Sequence, residues 1–279
     1  PKMRLASQRP AAVREAAAEK FRSASKHSGW VQDSPANYVF GSFCTGMEAA
    51  LATIERLGGR RLRVLDAGCG SGGFMAQLAD IAEKRGIPVY LRGVTAEVNA
   101  VAEALQGKAV DLLSDDHGSQ EEAVPDEHLD VRIYQGFPLE NLAEVAHADF
   151  VRDGTEFDLI VCSWTLFHLC DPVGTLAELR ARLAPEGMLL ANGAYFHVEG
   201  PGLEAGSIDA LHAMLSQLAP DLRYCVDGEP VRYVTEDPDN EWGPGEYQGG
   251  FEVSLAWGAQ GADDAASKVA KVCRFTGKV

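Results

Sequence analysis

An aspartate followed by four closely spaced glycines is the pattern in this chain best suited to ligand chemistry. The apolar residues Leu62, Val64 and Leu65 lead to Asp66, and the glycines that follow are Gly68, Gly70, Gly72 and Gly73. Glycine tolerates positive φ angles and lets a ligand approach the backbone closely. Helical spacing of apolar residues begins directly after the last glycine. The pattern predicts a strand, a glycine turn and a helix that together hold a nucleotide-like ligand.

Three motifs, in order and spacing, resemble class I S-adenosylmethionine-dependent methyltransferases over about residues 60 to 195. Asp66 with the G-x-G-x-G spacing resembles motif I of that family. The fourth-strand and fifth-strand motifs are matched by Phe157-Asp-Leu-Ile-Val-Cys-Ser-Trp-Thr-Leu-Phe-His-Leu and by Leu183-Ala-Pro-Glu-Gly-Met-Leu-Leu. The resemblance implies an S-adenosyl-L-methionine cofactor, which is released as S-adenosyl-L-homocysteine.

A dinucleotide cofactor is the competing interpretation, because Gly68, Gly70 and Gly73 also satisfy G-x-G-x-x-G. Asp66 argues against it, since a carboxylate repels a pyrophosphate but suits the ammonium group at the methionine end of S-adenosylmethionine. An NAD(P)-dependent oxidoreductase therefore stays an alternative. A non-catalytic S-adenosylmethionine-binding or regulatory protein of the same fold is a second alternative.

The predicted elements alternate between strand and helix, which is typical of an α/β protein with a parallel sheet. Among the predicted helices, one begins with a capping box formed by Thr45 and Glu48, and another spans Leu139 to His147. The resemblance implies a Rossmann-like fold, with a mostly parallel seven-stranded sheet, helices on both faces and an N-terminal helical cap. We expect a cap or lid over residues 1–58 and a methyltransferase core over 59–279. Within the core, we expect an acidic insertion at 107–130 and a lid loop at 236–250.

The rest of the cofactor pocket departs from the family pattern at the second strand. In the family an acid ends that strand and binds the ribose hydroxyls, but the matching position here is Thr95. Either Glu97 takes over that role or Thr95 makes a weaker contact. The resemblance also places three further groups of residues in the cofactor pocket. Cys69 is a small packing residue, Gly136 and Phe137 lie in the turn after the third strand, and Ser163 and Trp164 lie at the end of the fourth strand.

Methyl transfer is an in-line displacement, and a general base is needed only when the acceptor must lose a proton. His168 follows the fourth strand, has a suitable pKa range and is the predicted base. Candidate acceptor-side residues lie in the flanking segments: Tyr38, Tyr195 and His197. The acceptor is predicted to be a metabolite, with secondary metabolism as one source, and to receive the methyl group on oxygen or nitrogen.

The composition of the chain limits the classes of partner that it can bind. The chain has 279 residues and a net charge of −16, which disfavours nucleic acid and anionic membranes as partners. No apolar run approaches the roughly 20 residues that span a bilayer. The six cysteines form no C-x-x-C pair, so reduced thiols, a cytoplasmic location and no metal site are expected. A monomer or a homodimer fits this composition equally well.

Overall fold

The computed structural model describes residues 38–40, 44–96, 105–112, 128–144, 148–165, 169, 172–195, 223–226, 232–235, 245–248 and 251–258. Its strands are, in chain order, β1 Val39–Phe40, β2 Cys44–Thr45, β3 Leu62–Ala67, β4 Val89–Thr95, β5 Ala109–Leu112, β6 Leu129–Gln135, β7 Phe157–Cys162, β8 Leu183–Tyr195, β9 Arg223–Val226, β10 Arg232–Thr235, β11 Gly245–Gln248 and β12 Phe251–Gly258. The helices are α1 Gly46–Leu57, α2 Gly73–Arg85, α3 Asp149–Arg152 and α4 Pro172–Arg180, with a 3₁₀ helix at Leu139–Glu144.

One sheet organises the described residues. Its eight strands lie in the order β5-β6-β4-β3-β7-β8-β12-β9. The six strands from β5 to β8 are parallel, and β12 runs antiparallel to both of its neighbours. Every residue of β7 is buried and all but Asp158 are apolar, as expected of a parallel strand that is covered on both faces.

Helices cover both faces of this sheet. Neighbouring residues of β3 point to opposite faces, because side chains alternate along a strand. Val64 packs in one apolar cluster with residues of α1 and α2, whereas Leu65 packs in the other with Phe150 of α3 and Leu176 of α4. Thr45 caps α1 in the predicted capping box, where its side chain accepts from the Glu48 amide at 3.1 Å.

The strand order places a ligand edge at the carboxyl end of β3. From β3 the chain passes through α2 to β4 on one side, whereas β7 lies on the other side. Ligands of open α/β sheets bind at such a change of direction. β8 ends at the same edge, where Tyr195 pairs with Phe251, the first residue of β12. Segment 227–250, which contains the hairpin β10–β11, therefore leaves and re-enters the sheet at this edge.

A buried ion network ties the sheet to α3 on the face opposite α1 and α2. Arg92 of β4 is fully buried and donates to Asp149 Oδ1 at 2.9 Å and to Asp130 Oδ1 at 2.9 Å. Its guanidinium lies 3.6 Å from the ring centroid of Tyr90. Burial by itself raises the pKa of Asp149, but the hydrogen bonds and charge of Arg92 lower it to about 2. Asp149 is therefore a carboxylate that depends on Arg92.

The predicted fold class is confirmed, with three local differences. The sheet has eight strands, one more than expected, because β5 occupies part of the interval predicted as an acidic loop insertion at 107–130. The segment after Pro138, predicted as an α-helix, forms a 3₁₀ helix over its described residues. β11 lies inside the predicted lid loop at 236–250. In the first and third cases a short paired strand has acidic or glycine-rich neighbours, whose composition is typical of a loop.

The described part of the predicted cap packs on the sheet. α1 contributes Met47, Ala49 and Leu57 to the same apolar cluster as α2. Most of the residues before it lie outside the described ranges, so the boundary at residue 58 stays a prediction. Among the described helices, none is long and apolar enough to cross a membrane.

Candidate functional site

Most residues predicted for the site lie at the carboxyl ends of β3, β4, β6 and β7 or in the turns that follow. The structure brings together at this edge Asp66, Gly68, Cys69, Gly70, Gly72, Thr95, Gly136, Phe137, Ser163 and Trp164. The backbone of Tyr195 ends β8 nearby. Glu97, His168 and His197 lie outside the described residues, so their roles stay predictions.

The glycine turn is folded back onto the end of β4. The amides of Gly68 and Cys69 both donate to the carbonyl oxygen of Val94, at 2.8 and 3.0 Å. Gly68 has φ +99°, and a Cβ there would lie 2.0 Å from Oγ1 of Thr165. Gly72 has φ +85°, and a Cβ there would lie 2.8 Å from Ile133. Both positions therefore require glycine, for conformation and for space.

Asp66 is the acid at the start of this turn, and it is fully buried at the end of β3. Its Oδ2 accepts a hydrogen bond from the Tyr38 hydroxyl at 3.2 Å. Its Oδ1 is buried and has no hydrogen-bond partner within the described part of the chain. Burial raises the pKa of Asp66 to about 8, and the Tyr38 hydrogen bond opposes that shift. Without a further partner, this carboxyl group is largely protonated at neutral pH.

Tyr38 was predicted on the acceptor side, and the structure places it against the acid of the glycine turn. Its ring stacks on Phe74, the second residue of α2, with centroids 5.1 Å apart and planes 21° apart. Its carbonyl oxygen accepts from the Gly46 amide at 2.6 Å. Tyr38 thus joins the segment before α1 to β3 and to the start of α2.

The two cysteines near Asp66 are buried thiols. Burial, followed by the nearby Asp66, raises the pKa of Cys69 well above its ordinary value and that of Cys162 to about 12. A Cβ on Gly93 would lie 2.7 Å from Cys69 Sγ and 2.6 Å from Met75 Sδ. Cys69 therefore packs in space that a side chain at residue 93 would occupy, and neither thiol has the environment of a nucleophile.

The end of β4 contains no acid, and its neighbours supply polar groups. Thr95 is buried, and its carbonyl oxygen accepts from the Phe137 amide at 3.2 Å. Phe137 is partly buried against the cluster on the α3 face. Gln135, which pairs with Thr95, donates from Nε2 to both oxygens of Asp111 at 2.8 Å. Asp111 on the additional strand β5 is thus an acid one strand beyond Gln135.

The turn after β7 has an unusual backbone. Trp164 has φ +53°, in the left-handed region that bulky residues rarely adopt. Its amide donates to Oδ1 of Asn192 at 2.8 Å, and 39% of its surface is exposed. Ser163 is buried, and its hydroxyl has no partner within the ranges that the structure describes. Strain of this kind clusters at ligand sites, so the observation agrees with the predicted position.

Sequence reasoning did not single out Asp111, Gln135, Thr165 or Asn192. Asn192 is fully buried in a mainly apolar strand, and Gln135 is buried at the end of β6, after Ile133 and Tyr134. A lone amide in an apolar strand was the available signal, because buried amides need partners. Across the described residues, no group of three or more potential ligand side chains has the arrangement of a metal site.

The profile of a family described as a methyltransferase domain matches residues 37–193, which is more than half of the chain. This match spans the strands and turns from which the site is built. No curated protein matches the chain.

Solved structures with similar folds include several methyltransferases. The plantazolicin methyltransferase BamL, in complex with a triazolic desmethylPZN analog and SAH, shares 9% identity at a TM-score of 0.46, covering 89% of this chain and 100% of that one. A putative O-methyltransferase from Klebsiella pneumoniae shares 14% identity at a TM-score of 0.42, covering 90% and 92%. An rRNA methylase from Streptococcus thermophilus shares 16% identity at a TM-score of 0.38, covering 77% and 95%. At these values the likenesses do not bear on the acceptor.

Proposed function

This chain belongs to the methyltransferase-domain family and is an S-adenosylmethionine-dependent methyltransferase, and we propose that its acceptor is a small-molecule metabolite. The methyl group would be received on an oxygen or a nitrogen. Bound S-adenosylmethionine supplies a methyl group on a positively charged sulfur. The chain's own residues have to hold that molecule, orient the acceptor and remove a proton where the acceptor carries one.

The observation that carries the cofactor assignment is the unpartnered buried oxygen of Asp66. Oδ1 lies at the start of the glycine turn, has no described partner and belongs to a carboxyl group with no described cation beside it. An ammonium group fits this position, because it supplies both the hydrogen bond and the charge that a buried carboxylate needs. The residues present therefore fit the methionine end of S-adenosylmethionine.

The same oxygen weighs against a dinucleotide. A pyrophosphate at the glycine turn would add negative charge beside the buried Asp66, which would keep its carboxyl group protonated and leave Oδ1 without a cationic partner. The left-handed φ angles of Gly68 and Gly72 are compatible with either ligand, so the glycines do not discriminate. Asp66 supports S-adenosylmethionine over NAD(P).

A small acceptor is supported by the charge of the chain. A net charge of −16 repels a nucleic-acid backbone over long range. At the ligand edge, Asp111 is an acid that the cofactor does not neutralise, and Trp164 offers an exposed aromatic surface. These groups favour a neutral or cationic metabolite with apolar character over a polyanion.

His168 remains the proposed base, on its place in the chain shortly after β7. Its imidazole would accept the proton from a hydroxyl or amine of the acceptor as the methyl group is transferred. We expect His168→Ala to lower turnover by 10²-fold or more, within the usual range for a general base, with little change in cofactor affinity. Equal turnover in the two proteins would remove this assignment.

A methyl-donor assay tests the acceptor class directly. The purified protein is incubated with S-adenosylmethionine and either a metabolite extract or a total RNA preparation, and products heavier by one methylene are sought by mass spectrometry. A methylated metabolite at an oxygen or nitrogen is expected. Methylation confined to RNA would overturn the small-molecule proposal.

A binding assay tests the cofactor site. Trp164 is exposed at the ligand edge, so its fluorescence should change with S-adenosylhomocysteine and not with NADH. Asp66→Ala should abolish this response, whereas Asp153→Ala, an exposed acid beyond α3, should leave it unchanged. Binding of cofactor without turnover on any acceptor would favour the non-catalytic alternative, which the missing acid at Thr95 motivates.

A further inference from the structure

Tyr38 makes three attachments that are unusual for a residue in a short segment ahead of the core. Its hydroxyl donates to Asp66, its ring stacks on Phe74, and its carbonyl oxygen accepts from the amide of Gly46. The side chain is 2% exposed, so these contacts are made in a water-poor environment. A change in the charge or position of Asp66 therefore alters a contact of segment 38–40. A displacement of that segment likewise alters a contact of Asp66.

The two oxygens of Asp66 face different partners. Oδ2 accepts from Tyr38, whereas Oδ1 is the atom to which we assigned the cofactor's ammonium group. An ionised carboxylate accepts a stronger hydrogen bond than a protonated one. An ammonium group on Oδ1 favours the ionised form, and the Tyr38 hydrogen bond on Oδ2 favours the same form. The two interactions therefore reinforce each other.

We propose that Tyr38 is a positioning residue that couples cofactor binding to the docking of its own segment on α1 and β3. This inference rests on the proposed function, because it requires S-adenosylmethionine at Asp66. The coupling is reciprocal: the bound cofactor tightens the segment, and the docked segment raises the affinity for the cofactor by the same factor.

The surroundings of Asp66 leave the cofactor as its source of positive charge. The titratable groups that act on it or are acted on by it are Tyr38, Cys69 and Cys162, and the pKa of each is raised, so all three are neutral. Gly93 and Val161 flank it on the neighbouring strands and carry no charge. No described side chain therefore competes for the role of cation.

The affinity for the cofactor should therefore depend on pH. The pKa of Asp66 in the free protein is about 8, so at lower pH the cofactor must displace a proton from it. Affinity should rise with pH and level off above that value. Tyr38 opposes the upward shift, so Tyr38→Phe should raise the pKa of Asp66 and move the plateau to higher pH. A residue that only filled space would not shift this profile.

The experiment measures affinity for S-adenosylhomocysteine between pH 6 and 10, with hydrogen exchange at the Gly46 amide at pH 7 as a second readout. In the wild type, the ligand should slow exchange at Gly46, whose partner is the carbonyl oxygen of Tyr38. In Tyr38→Phe, we expect about tenfold weaker affinity at pH 7, a midpoint about one pH unit higher and less ligand-induced protection. Asp66→Asn should remove the pH dependence.

Tyr90→Phe is the matched control, because it removes a hydroxyl on the opposite face of the sheet, and it should behave as the wild type. The inference is overturned if Tyr38→Phe binds S-adenosylhomocysteine with the same pH midpoint and the same protection at Gly46. If the wild type itself fails to bind this ligand at millimolar concentration, the proposed function fails and the inference fails with it. The two failures are therefore distinguishable.

Discussion

Replacement of Arg92 by methionine should destabilise the fold strongly without touching the ligand edge. Methionine keeps the apolar stem but removes the five N–H donors, which bind the carboxylates of Asp130 and Asp149 and the carbonyl oxygens of Leu91 and Asp130. The side chains of these two acids are only 10% and 12% exposed, so their charges would be left in a poorly solvated environment. Loss of one partner of a buried ion pair costs about 3–5 kcal/mol.

The lower end of that range is the better estimate here. Nε of Arg132 lies 3.6 Å from Asp130 and 3.9 Å from Asp149, so part of the charge is still compensated. The pKa of Asp149, about 2 against an ordinary 3.8, corresponds to roughly 2 kcal/mol of favourable environment, most of it from Arg92. We therefore expect a loss of about 3 kcal/mol, or roughly 6–12 °C in the thermal midpoint.

Urea and thermal unfolding, followed by circular dichroism without cofactor, measure this loss. Lys84→Met is the control, because it removes the exposed pair with Asp80 on α2 and should leave the midpoint unchanged. The double variant Arg92→Met with Asp149→Asn should lose less than the sum of the two single variants, since one unpaired charge is gone. An Arg92→Met protein within about 1 kcal/mol of the wild type would refute the reasoning.

Three further predictions concern other parts of the chain. Gly68→Ala should weaken S-adenosylhomocysteine binding tenfold or more by calorimetry, because its Cβ would meet Thr165 at 2.0 Å, whereas Gly154→Ala, with φ +63° and open space, should not. Thr45→Ala should lower the free energy of unfolding by about 1 kcal/mol in urea, through loss of the α1 cap. Because the pKa of Asp149 is depressed, its contribution is complete above about pH 4 and should be lost as pH falls towards 2, as acid titration of the wild type against Arg92→Met would reveal.

Each of these has a clear contrary outcome. Equal affinity in the variants at residues 68 and 154 would mean that the glycine turn can relax around a Cβ. Thr45→Ser should keep most of the stability that alanine loses, and a serine variant as unstable as the alanine one would argue against the capping hydrogen bond. An identical acid profile in wild type and Arg92→Met would show that Asp149 does not depend on the guanidinium.

The parts of the site that local sequence predicted well are those built from short contiguous patterns. Asp66 and the glycines lie next to one another in the chain, and strand, turn and helix follow from glycine chemistry and helical spacing. The capping box at Thr45 is likewise a four-residue signal, and it is confirmed. Such patterns need no knowledge of what lies elsewhere in the fold.

Contacts between distant residues were not predictable in the same way. Tyr38 meets Asp66 across 28 positions, and Arg92 meets Asp149 across 57. No local pattern distinguishes Arg92 from other charged residues in strands, because its two acids lie 38 and 57 positions away. β5 was missed because only four residues pair, next to a run of acids that is typical of a solvated loop. In each case tertiary pairing, rather than local preference, decides the outcome.

The re-entry of segment 227–250 at the ligand edge bears on how much of this segment the sheet requires. Residues 226 and 251 are held in register by their neighbours in the sheet, Val226 against Val253 and Phe251 against Tyr195. The hairpin between them pairs only with itself among the described strands. A change in the length of this segment should therefore leave the register of β8, β9 and β12 intact.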